Sequence, residues 1–338
     1  FSMRIEIITT SNESLKETGF GTLKACYNVM NSIRRLGYTV TLNVCETAED
    51  LDKVAKRKPD LVVLAVKYIS IENGNDIWLS DYFAKNGINF SGSTREVLKF
   101  DSDKVLAKSH LRKKGIKTAD YFTATPGQYK CESELPIRFP LFLKPLDAAN
   151  GNGIDDLSFV TSFADYESKI LSLYDSFNLP VLVEEYLDGR EFTAAVINTR
   201  GGNLLVSAVE VVPPQSTNGL RILGEQAKRD DSEELKKSED TKLMNSVTKL
   251  AVDAFIQLGA RDFGRIDVKV DENGQCYFME ANLVPGMTAR SSYFPKACEI
   301  ESEISYDKMI ELILDEGLCR VSINLTDNIP ADPLPLAV

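Results

Sequence analysis

Apolar runs and amphipathic stretches alternate along the first third of the chain. The run at residues 60–66 (DLVVLAV) is continuous, which is typical of a parallel strand buried on both faces. The pattern predicts strands at 3–9, 38–44 and 60–66 and helices at 21–36 and 48–58. This alternation predicts an open parallel α/β domain over residues 3–95, with ligand loops at the carboxyl ends of its strands, at 10–21 and 67–76.

The remaining residues predict a mixture of helices and strands in a different order. Their apolar patterns predict helices within 92–115 and at 242–258 and 306–316, and strands at 139–145, 181–198 and 204–212. The stretch at 213–241 is polar and has no periodicity, which is typical of a functional flap or of disorder. Residues 321–338 contain three prolines and are expected to form a tail without a core of its own.

The alternating positions of residues 264–288 predict a β-hairpin with two unlike faces. Asn273-Gly274 is the dipeptide that most strongly indicates a two-residue type I′ turn. The register set by this turn pairs Glu272 with Gln275, Asp267 with Glu280, and Arg265 with Asn282. Because side chains alternate with period two, one face is predicted to carry Arg265, Asp267, Lys269, Phe278, Glu280 and Asn282, and the other Ile266, Val268, Val270, Tyr277, Met279 and Ala281.

The polar face of this hairpin suits a metal and a phosphate. Two carboxylates and an amide oxygen form a hard oxygen site that fits Mg²⁺ better than zinc, and the adjacent Arg265 fits a phosphate held by that metal. The alternative is a solvated hairpin with cross-strand charge pairs. The apolar Pro-Gly turn at 281–287 favours the site, since few solvated faces carry such a turn directly after carboxylates.

Composition excludes several classes of function. The 338 residues are 43% hydrophobic and 26% charged, which is ordinary for a soluble globular protein. A net charge of -11 argues against a broad nucleic-acid surface. The six cysteines have no metal-ligand spacing and are expected to be free thiols, and the single histidine, His110, makes a histidine-based triad improbable. Without a visible signal peptide or membrane span, a cytoplasmic protein is expected.

Two lysines are further candidates. Lys104 lies in the first turn of a predicted helix, where a cation opposes the helix dipole, so either a ligand phosphate or simple solvation would account for it. Lys144 ends an apolar strand, and an unpaired lysine is rarely buried. The small residues at 146–154 follow it, and they would either fold over phosphates with backbone N–H groups or form an ordinary glycine loop.

Three acids surround a break in the strand at 181–198. Glu184 and Glu185 precede the break, and Glu191 follows it. Such acids, with the neighbouring backbone, would present polar groups to a flat base and a carboxylate to a sugar. The alternative is an edge strand with solvated acids.

Taken together, Lys104, the FLKP strand with its small-residue loop, and the segments EEYLDGREFT, GRIDV and EANLVPGMT resemble the ATP-grasp superfamily, most closely its D-alanine:D-alanine ligases and their relatives. The resemblance covers nearly the whole chain in order. It implies an ATP-grasp fold of the α/β and α+β class, in which an N-terminal open parallel α/β domain precedes two α+β subdomains that hold ATP between their sheets. The expected division is 3–95, 96–180 and 181–320, followed by the tail at 321–338.

Carried over by position, the resemblance implies a role for each motif. The ATP-binding residues would be Lys104, Lys144, Asn150, Gly151, Gly153, Glu184, Glu185, Leu187 and Glu191, with Glu184, Glu185 and Leu187 at the adenine, largely through backbone groups, and Glu191 at the ribose. The ligands of Mg²⁺, or of Mn²⁺ in its place, would be Asp267, Glu280 and Asn282. Arg265 and Lys144 would be catalytic, and Glu13, Ser291 and Ser292 would contact the substrates.

The implied reaction joins a small carboxylic acid, such as an amino acid, to an amine through an acyl phosphate. Departures from the family's pattern lie in the substrate half: TTSNES at 9–14 replaces GGxSxE, and KYISIENG at 67–74 replaces HGxxGEDG. D-Alanyl-D-alanine synthesis is therefore the alternative, and a nucleotide-binding regulatory protein without turnover is an alternative of another class. The resemblance also implies a homodimer.

Overall fold

The N-terminal strands form a parallel sheet, as predicted. The computed structural model describes residues 2–147, 151–215, 222–229 and 232–326. The first three strands are β1 (Arg4–Thr9), β2 (Thr39–Val44) and β3 (Leu61–Leu64). They are ordered β2-β1-β3, and β1 runs parallel to both neighbours. The connections after β1 and β3 therefore meet at one edge of the sheet, where ligands bind in open α/β folds.

Helices cover both faces of this sheet. They are α1 (Glu13–Glu17), α2 (Leu23–Arg35), α3 (Ala48–Arg57) and α4 (Leu79–Lys85), and the short hairpin of β4 (Tyr68–Ile69) and β5 (Ile77–Trp78) lies before α4. Residues of β1 alternate between two cores: Ile5 and Ile7 pack in the core that includes α2, and Ile8 packs with Val62 in the core that includes α3. The first core continues into the C-terminal half, so the two halves share apolar packing.

A four-stranded antiparallel sheet forms the middle of the chain. Its elements are α5 (Arg95–Ser102), α6 (Lys104–Lys113), β6 (Tyr121–Ala124), β7 (Leu141–Pro145), β8 (Phe159–Val160), α7 (Phe163–Phe177) and β9 (Val181–Glu185), with 3-10 turns at Glu132–Glu134 and Asp156–Ser158. The sheet order is β6-β9-β7-β8. Because β9 pairs with β6 and β7, this sheet extends past the predicted division at residue 180.

The C-terminal sheet has five antiparallel strands. Its elements are β10 (Glu191–Asn198), β11 (Leu204–Val212), α8 (Glu225–Arg229), β12 (Glu234–Lys236), α9 (Thr241–Leu258), β13 (Phe263–Val270), β14 (Cys276–Asn282), α10 (Tyr293–Ser302) and α11 (Tyr306–Thr326). The order is β12-β11-β10-β13-β14. The polar stretch at 213–241 thus contains a short helix and an edge strand. Helix α11 continues to Thr326, so the tail does not begin at residue 321, and 327–338 lie outside the described residues.

The turn of the hairpin differs from the predicted one. The Asp271 carboxylate accepts the backbone N–H groups of Asn273 and Gln275, both at 2.9 Å. Gly274 has a φ of 80°, but Asn273 does not have the positive φ that a type I′ turn requires. The predicted pairing of Glu272 with Gln275 is therefore wrong, because the Asp271 side chain captures the loop amides and lengthens the turn.

A β-bulge restores the predicted register nearer the site. The pairing shifts by one residue between Asp267 and Val268, and Met279 is the extra residue. The predicted pairs of Asp267 with Glu280 and of Arg265 with Asn282 are confirmed. Between bulge and turn the faces are exchanged: Phe278 is fully buried, and Met279 lines a cavity. The predicted faces of Tyr277, Phe278 and Met279 are therefore wrong.

No helix in the described part of the chain is both long and apolar enough to cross a bilayer. The six cysteines are all free, as expected. His110 has a structural role, because its Nε2 lies 2.8 Å from the backbone carbonyl oxygen of Gln257 and its ring packs on Phe100.

Candidate active site

Two cavities border the hairpin of β13 and β14. The small cavity, of about 100 Å³, is lined by Phe142, Lys144, Glu184, Tyr186, Leu187, Glu191, Lys269 and Met279, among others. The large cavity, of about 640 Å³, is lined by Lys104, Arg265, Glu280 and Asn282 together with residues of both N-terminal loops, 10–21 and 67–76. One hairpin therefore contributes to both cavities and places Arg265 and Glu280 where they meet the N-terminal domain.

A buried ion triad holds Lys144 at the small cavity. The Glu184 carboxylate lies between two ammonium groups, 2.6 Å from Lys144 Nζ and 2.7 Å from Lys108 Nζ. Burial alone would raise the pKa of Glu184, but the two positive charges outweigh it and lower the pKa to about 2. Burial lowers the pKa of Lys108 despite its pairing with Glu184. Glu184 thus stays ionised and fixes the position of Lys144.

The triad was only partly anticipated by the sequence. The resemblance places Glu184 at the adenine largely through its backbone, whereas its side chain is 2% exposed and ion-paired. Lys108 was not singled out. The sequence feature that could have indicated Lys108 is its spacing from Lys104, since residues four apart lie on one face of a helix. Helix α6 places Lys108 beside Glu184 and Lys104 beside Glu280.

The remaining predicted adenine and ribose residues lie along one wall of the small cavity. Glu185 ends β9, and its carboxylate accepts the backbone N–H of Asp120 at 2.9 Å. Leu187 is buried in the strand break. Glu191 begins β10 directly opposite Lys269 of β13. The break between the strands therefore places Glu185, Leu187 and Glu191 at the same cavity.

Arg265 and Asp267 form a bidentate pair on β13. The guanidinium Nε and Nη2 each lie 3.1 Å from a carboxylate oxygen of Asp267. The Thr193 hydroxyl also donates to Asp267, at 2.7 Å. Burial would lower the pKa of Arg265, but the charge of Asp267 outweighs it and raises that pKa. Arg265 is therefore a fixed cation at the wall of the large cavity.

Glu280 and Asn282 complete the oxygen-rich edge of the hairpin. Glu280 faces Asp267 on the neighbouring strand, and Asn282 Nδ2 lies 3.4 Å from Glu280 Oε1. Lys104, the first residue of α6, places its Nζ 3.5 Å from a carboxylate oxygen of Glu280. This set of two carboxylates and an amide fits a hard divalent cation, and the Glu280 side chain is 30% exposed toward the cavity. No group of three His, Cys, Asp or Glu suited to a metal occurs among the described residues.

The three predicted substrate residues all line the large cavity. Glu13 is exposed and ion-paired with Lys16 at 2.7 Å. The Ser292 hydroxyl oxygen accepts the backbone N–H of Thr288 at 2.9 Å, and the Ser291 N–H donates to the carbonyl oxygen of the same residue. The two serines thus belong to the turn that leads into α10.

The predicted phosphate loop packs against the flap. Asn150 lies outside the described residues, but Gly151 and Gly153 are described. A Cβ on Gly151 would lie 2.9 Å from the carbonyl carbon of Gly224, and a Cβ on Gly224 would lie 2.4 Å from the carbonyl oxygen of Ile154. The Gly153 N–H also points to the Glu225 carboxylate at 3.4 Å. Glycines are therefore required where the two loops touch.

A second buried pair lies beneath the large cavity and was not foreseen. Lys67 Nζ lies 2.7 Å from Asp101 Oδ1, and the other oxygen of Asp101 accepts the Leu283 N–H. This contact joins the N-terminal domain to the turn after β14. Lys67 is the first residue of the segment at 67–74, whose sequence differs from the family's HGxxGEDG pattern.

A family model that matches most of the chain identifies the family. The model of the family described as D-ala D-ala ligase C-terminus matches residues 111–315. The chain belongs to the D-alanine–D-alanine ligase family. Among its curated relatives, the D-alanine–D-alanine ligase of Gloeobacter violaceus is 27% identical over 324 residues, which are 94% of this chain and 100% of the relative. That of Aquifex aeolicus is 26% identical over 317 residues, covering 92% of this chain and 100% of the relative.

Solved structures of D-alanine–D-alanine ligases have the same fold. The Bacillus anthracis enzyme complexed with ATP aligns with a TM-score of 0.73 at 22% identity, over 96% of this chain and 100% of that one. VanG D-Ala:D-Ser ligase from Enterococcus faecalis aligns with a TM-score of 0.70 at 19% identity, over 94% of this chain and 100% of that one. The predicted ATP-grasp fold and the resemblance to this ligase family are thereby confirmed.

Proposed function

We propose that this protein is an ATP-dependent carboxylate–amine ligase that forms an amide or peptide bond through an acyl phosphate. The observation that carries the proposal is the convergence of Lys104, Lys144 and Arg265 with Glu280 around one hairpin. Burial lowers the pKa of Lys144, but the charge of Glu184 and then that of Glu280 outweigh it and raise that pKa, so the hairpin acts electrostatically on Lys144. Such a cluster suits phosphoryl transfer, whose catalysis consists almost entirely of positioning and charge stabilisation.

In this proposal ATP lies between the two sheets. The adenine occupies the small cavity beside Leu187 and the backbone of Glu184 and Glu185, and the ribose meets Glu191. Lys144 and Lys104 bind the phosphates. The loop at 147–153, with its Asn150, Gly151 and Gly153, closes over them together with the flap. The predicted division at 3–95, 96–180 and 181–320 is proposed with one change: β9 (Val181–Glu185) joins the central subdomain, which then ends at residue 185.

Asp267, Glu280 and Asn282 are proposed to hold Mg²⁺, for which Mn²⁺ would substitute. The oxygen donors of the three side chains fit such an ion, and two of them lie directly opposite each other. When bound, the ion supplies neutralisation of phosphate charge. Lys104 and Arg265, which contact these carboxylates here, would then face the ATP phosphates instead.

The reaction has two balanced steps. A carboxylate oxygen of the first substrate attacks the γ-phosphorus of ATP, giving an acyl phosphate and ADP. The amine of the second substrate attacks the acyl carbon, the C–O bond to phosphate breaks, and the amide, phosphate and one proton are released. Arg265 would stabilise the transferred phosphoryl group, and the buried Glu184 would hold Lys144 against the remaining phosphates.

The substrates are proposed to be an amino acid or a similar small acid and an amine. Glu13, Ser291 and Ser292 line the cavity in which they would meet. D-Alanyl-D-alanine synthesis is the second candidate, since that is the activity named for the relatives. The buried Lys67–Asp101 pair lies at the start of residues 67–74, which differ from the family's pattern, and this difference favours a substrate other than D-alanine. A homodimer and a cytoplasmic location stay predictions.

ATP-dependent phosphate release, measured over a panel of D- and L-amino-acid pairs and other small acids and amines, tests this proposal. Release with an acid and an amine together, and amide detected by mass spectrometry, is expected. Release with D-alanine alone would replace the substrate assignment by the second candidate. Binding of Mg-ATP without turnover over the whole panel would favour a nucleotide-binding regulatory protein.

A further inference from the structure

A buried carboxylate faces the large cavity with one oxygen unused. Glu233, beside β12, is 9% exposed and lines the cavity. Its Oε1 accepts the hydroxyl of Tyr293 at 2.7 Å. Its Oε2 is buried and has no hydrogen-bonding partner among the described residues. A buried carboxylate oxygen without a donor is costly, and a ligand in the cavity that supplies a donor would remove that cost.

Tyr293 connects this carboxylate to the reaction centre. The tyrosine is the first residue of α10, and the Arg265 guanidinium lies 5.2 Å from the centroid of its ring. Glu233 is therefore one tyrosine side chain away from the cation proposed to meet the phosphoryl group. Burial raises the pKa of Tyr293, and its contact with Glu233 raises it further, so the hydroxyl stays protonated and keeps donating to Oε1.

The cations described around the large cavity face carboxylates other than Glu233. Lys16 faces Glu13, Lys67 faces Asp101 and Lys104 faces Glu280. Arg265 directs Nε and Nη2 to Asp267. None of these four described cations supplies the missing donor, and a molecule in the cavity could supply it. A positively charged N–H donor suits an ionised carboxylate best, since hydrogen bonds between ionised groups are the strong ones.

We propose that Glu233 determines specificity by binding a cationic ammonium group of a substrate beside Arg265. The inference rests on the proposed function, because it places the ligand in the ligase cavity. Through Glu233, the flap would then select substrates by their charge. An amino acid is accepted, whereas an acid of the same shape with a hydroxyl or a hydrogen in place of the ammonium group is disfavoured.

The neighbouring residue provides a matched control. Glu234 has the same side chain, is exposed, and lies in β12 opposite Val212. Glu233→Gln keeps the size of the side chain and the contact with Tyr293 but removes the negative charge. Glu234→Gln makes the same chemical change outside the cavity, so any effect of charge on the flap alone appears in both variants.

Binding distinguishes the inference from the proposed function. Saturation-transfer NMR with a panel of L- and D-amino acids, and with their α-hydroxy and des-amino analogues, is run on the wild type and both variants in the presence of Mg-ATP. Glu233→Gln is expected to weaken binding of the ammonium-bearing compounds by on the order of tenfold or more. It should leave the analogues unchanged, and Glu234→Gln should match the wild type.

Two results would overturn the inference: equal amino-acid binding by Glu233→Gln and the wild type, or no amino-acid binding by the wild type. Turnover supplies the separate test of the ligase. If an acid and an amine support phosphate release but Glu233→Gln keeps the wild-type KM for the amino acid, the inference fails and the ligase stands. If amino acids bind through Glu233 but no pair is turned over, the ligase fails and the ammonium site stands.

Discussion

Asp267 and Glu280 lie directly opposite each other on β13 and β14, immediately beside a β-bulge that shifts the register of the two strands. The bulge leaves both carboxylates on one face of the hairpin while Phe278 turns into the core. This arrangement underlies the proposed metal site, so the carboxylates are expected to matter for turnover far more than for folding.

Glu280→Gln is expected to lower kcat by roughly 100-fold or more, because it removes a charge proposed to hold Mg²⁺ at the transferred phosphate. Its side chain is 30% exposed, so the melting temperature should stay close to that of the wild type. Steady-state kinetics and thermal unfolding measure both. Glu272→Gln, at the exposed turn of the same hairpin, is the control. Near-normal activity of Glu280→Gln would contradict the metal assignment.

Lys108→Met is expected to destabilise the protein by about 3–5 kcal/mol, because it leaves Glu184 buried with only one of its two cations. It should also raise the KM for ATP, since Lys144 loses part of the structure that positions it. Urea unfolding and ATP titration measure these effects. Lys113→Met, on the exposed side of the same helix, should change neither.

The pH dependence of stability follows from the same triad. The pKa of Glu184 is lowered from 4.5 to about 2, so its ion pairs contribute stability that is fully present above pH 4.5 and is lost as the pH falls toward 2. In Lys108→Met, the pKa of Glu184 should rise because burial is less opposed. The loss should then be smaller and complete at a higher pH, which urea unfolding between pH 7 and 3 would show. Superimposable profiles would contradict the ion triad.

Gly224→Ala is expected to separate the flap from the phosphate loop. The added Cβ would lie 2.4 Å from the carbonyl oxygen of Ile154, a contact that cannot be relieved by a side-chain rotation. The KM for ATP should increase by on the order of tenfold, because the groups that close over the phosphates are displaced. Unchanged ATP kinetics would show that the contact between these loops has no part in nucleotide binding.

The sequence predicted most of the fold because its elements are periodic and their order is that of a known family. Contacts between segments far apart in the chain are harder to predict from the sequence. The bulge at Met279 leaves no mark in the hydrophobic pattern, so the pattern predicts the wrong faces for Tyr277, Phe278 and Met279. The turn was mistaken because a side-chain carboxylate, Asp271, outweighed the preference of Asn273-Gly274.

The residues of the candidate site that depend on contacts between distant segments are likewise hard to predict from the sequence. Lys144 stood out because it lies in an apolar strand, whereas Lys108 looked like any helical lysine until α6 placed it against Glu184. Glu233 lay in a polar stretch without periodicity, and only the edge strand β12 and helix α10 bring it to Tyr293. Pairing between elements far apart in the chain is what periodicity does not report.

The acyl-phosphate mechanism is tested most directly by following a labelled carboxylate oxygen of the acid substrate. The acid that supports turnover is prepared with ¹⁸O in its carboxylate and incubated with the protein, Mg-ATP and the amine, and the released phosphate is analysed by mass spectrometry. An acyl-phosphate ligase transfers one ¹⁸O to each phosphate, in equal amount to the amide formed. Phosphate without the label would contradict the proposed mechanism, because the acid would then not have been phosphorylated by ATP.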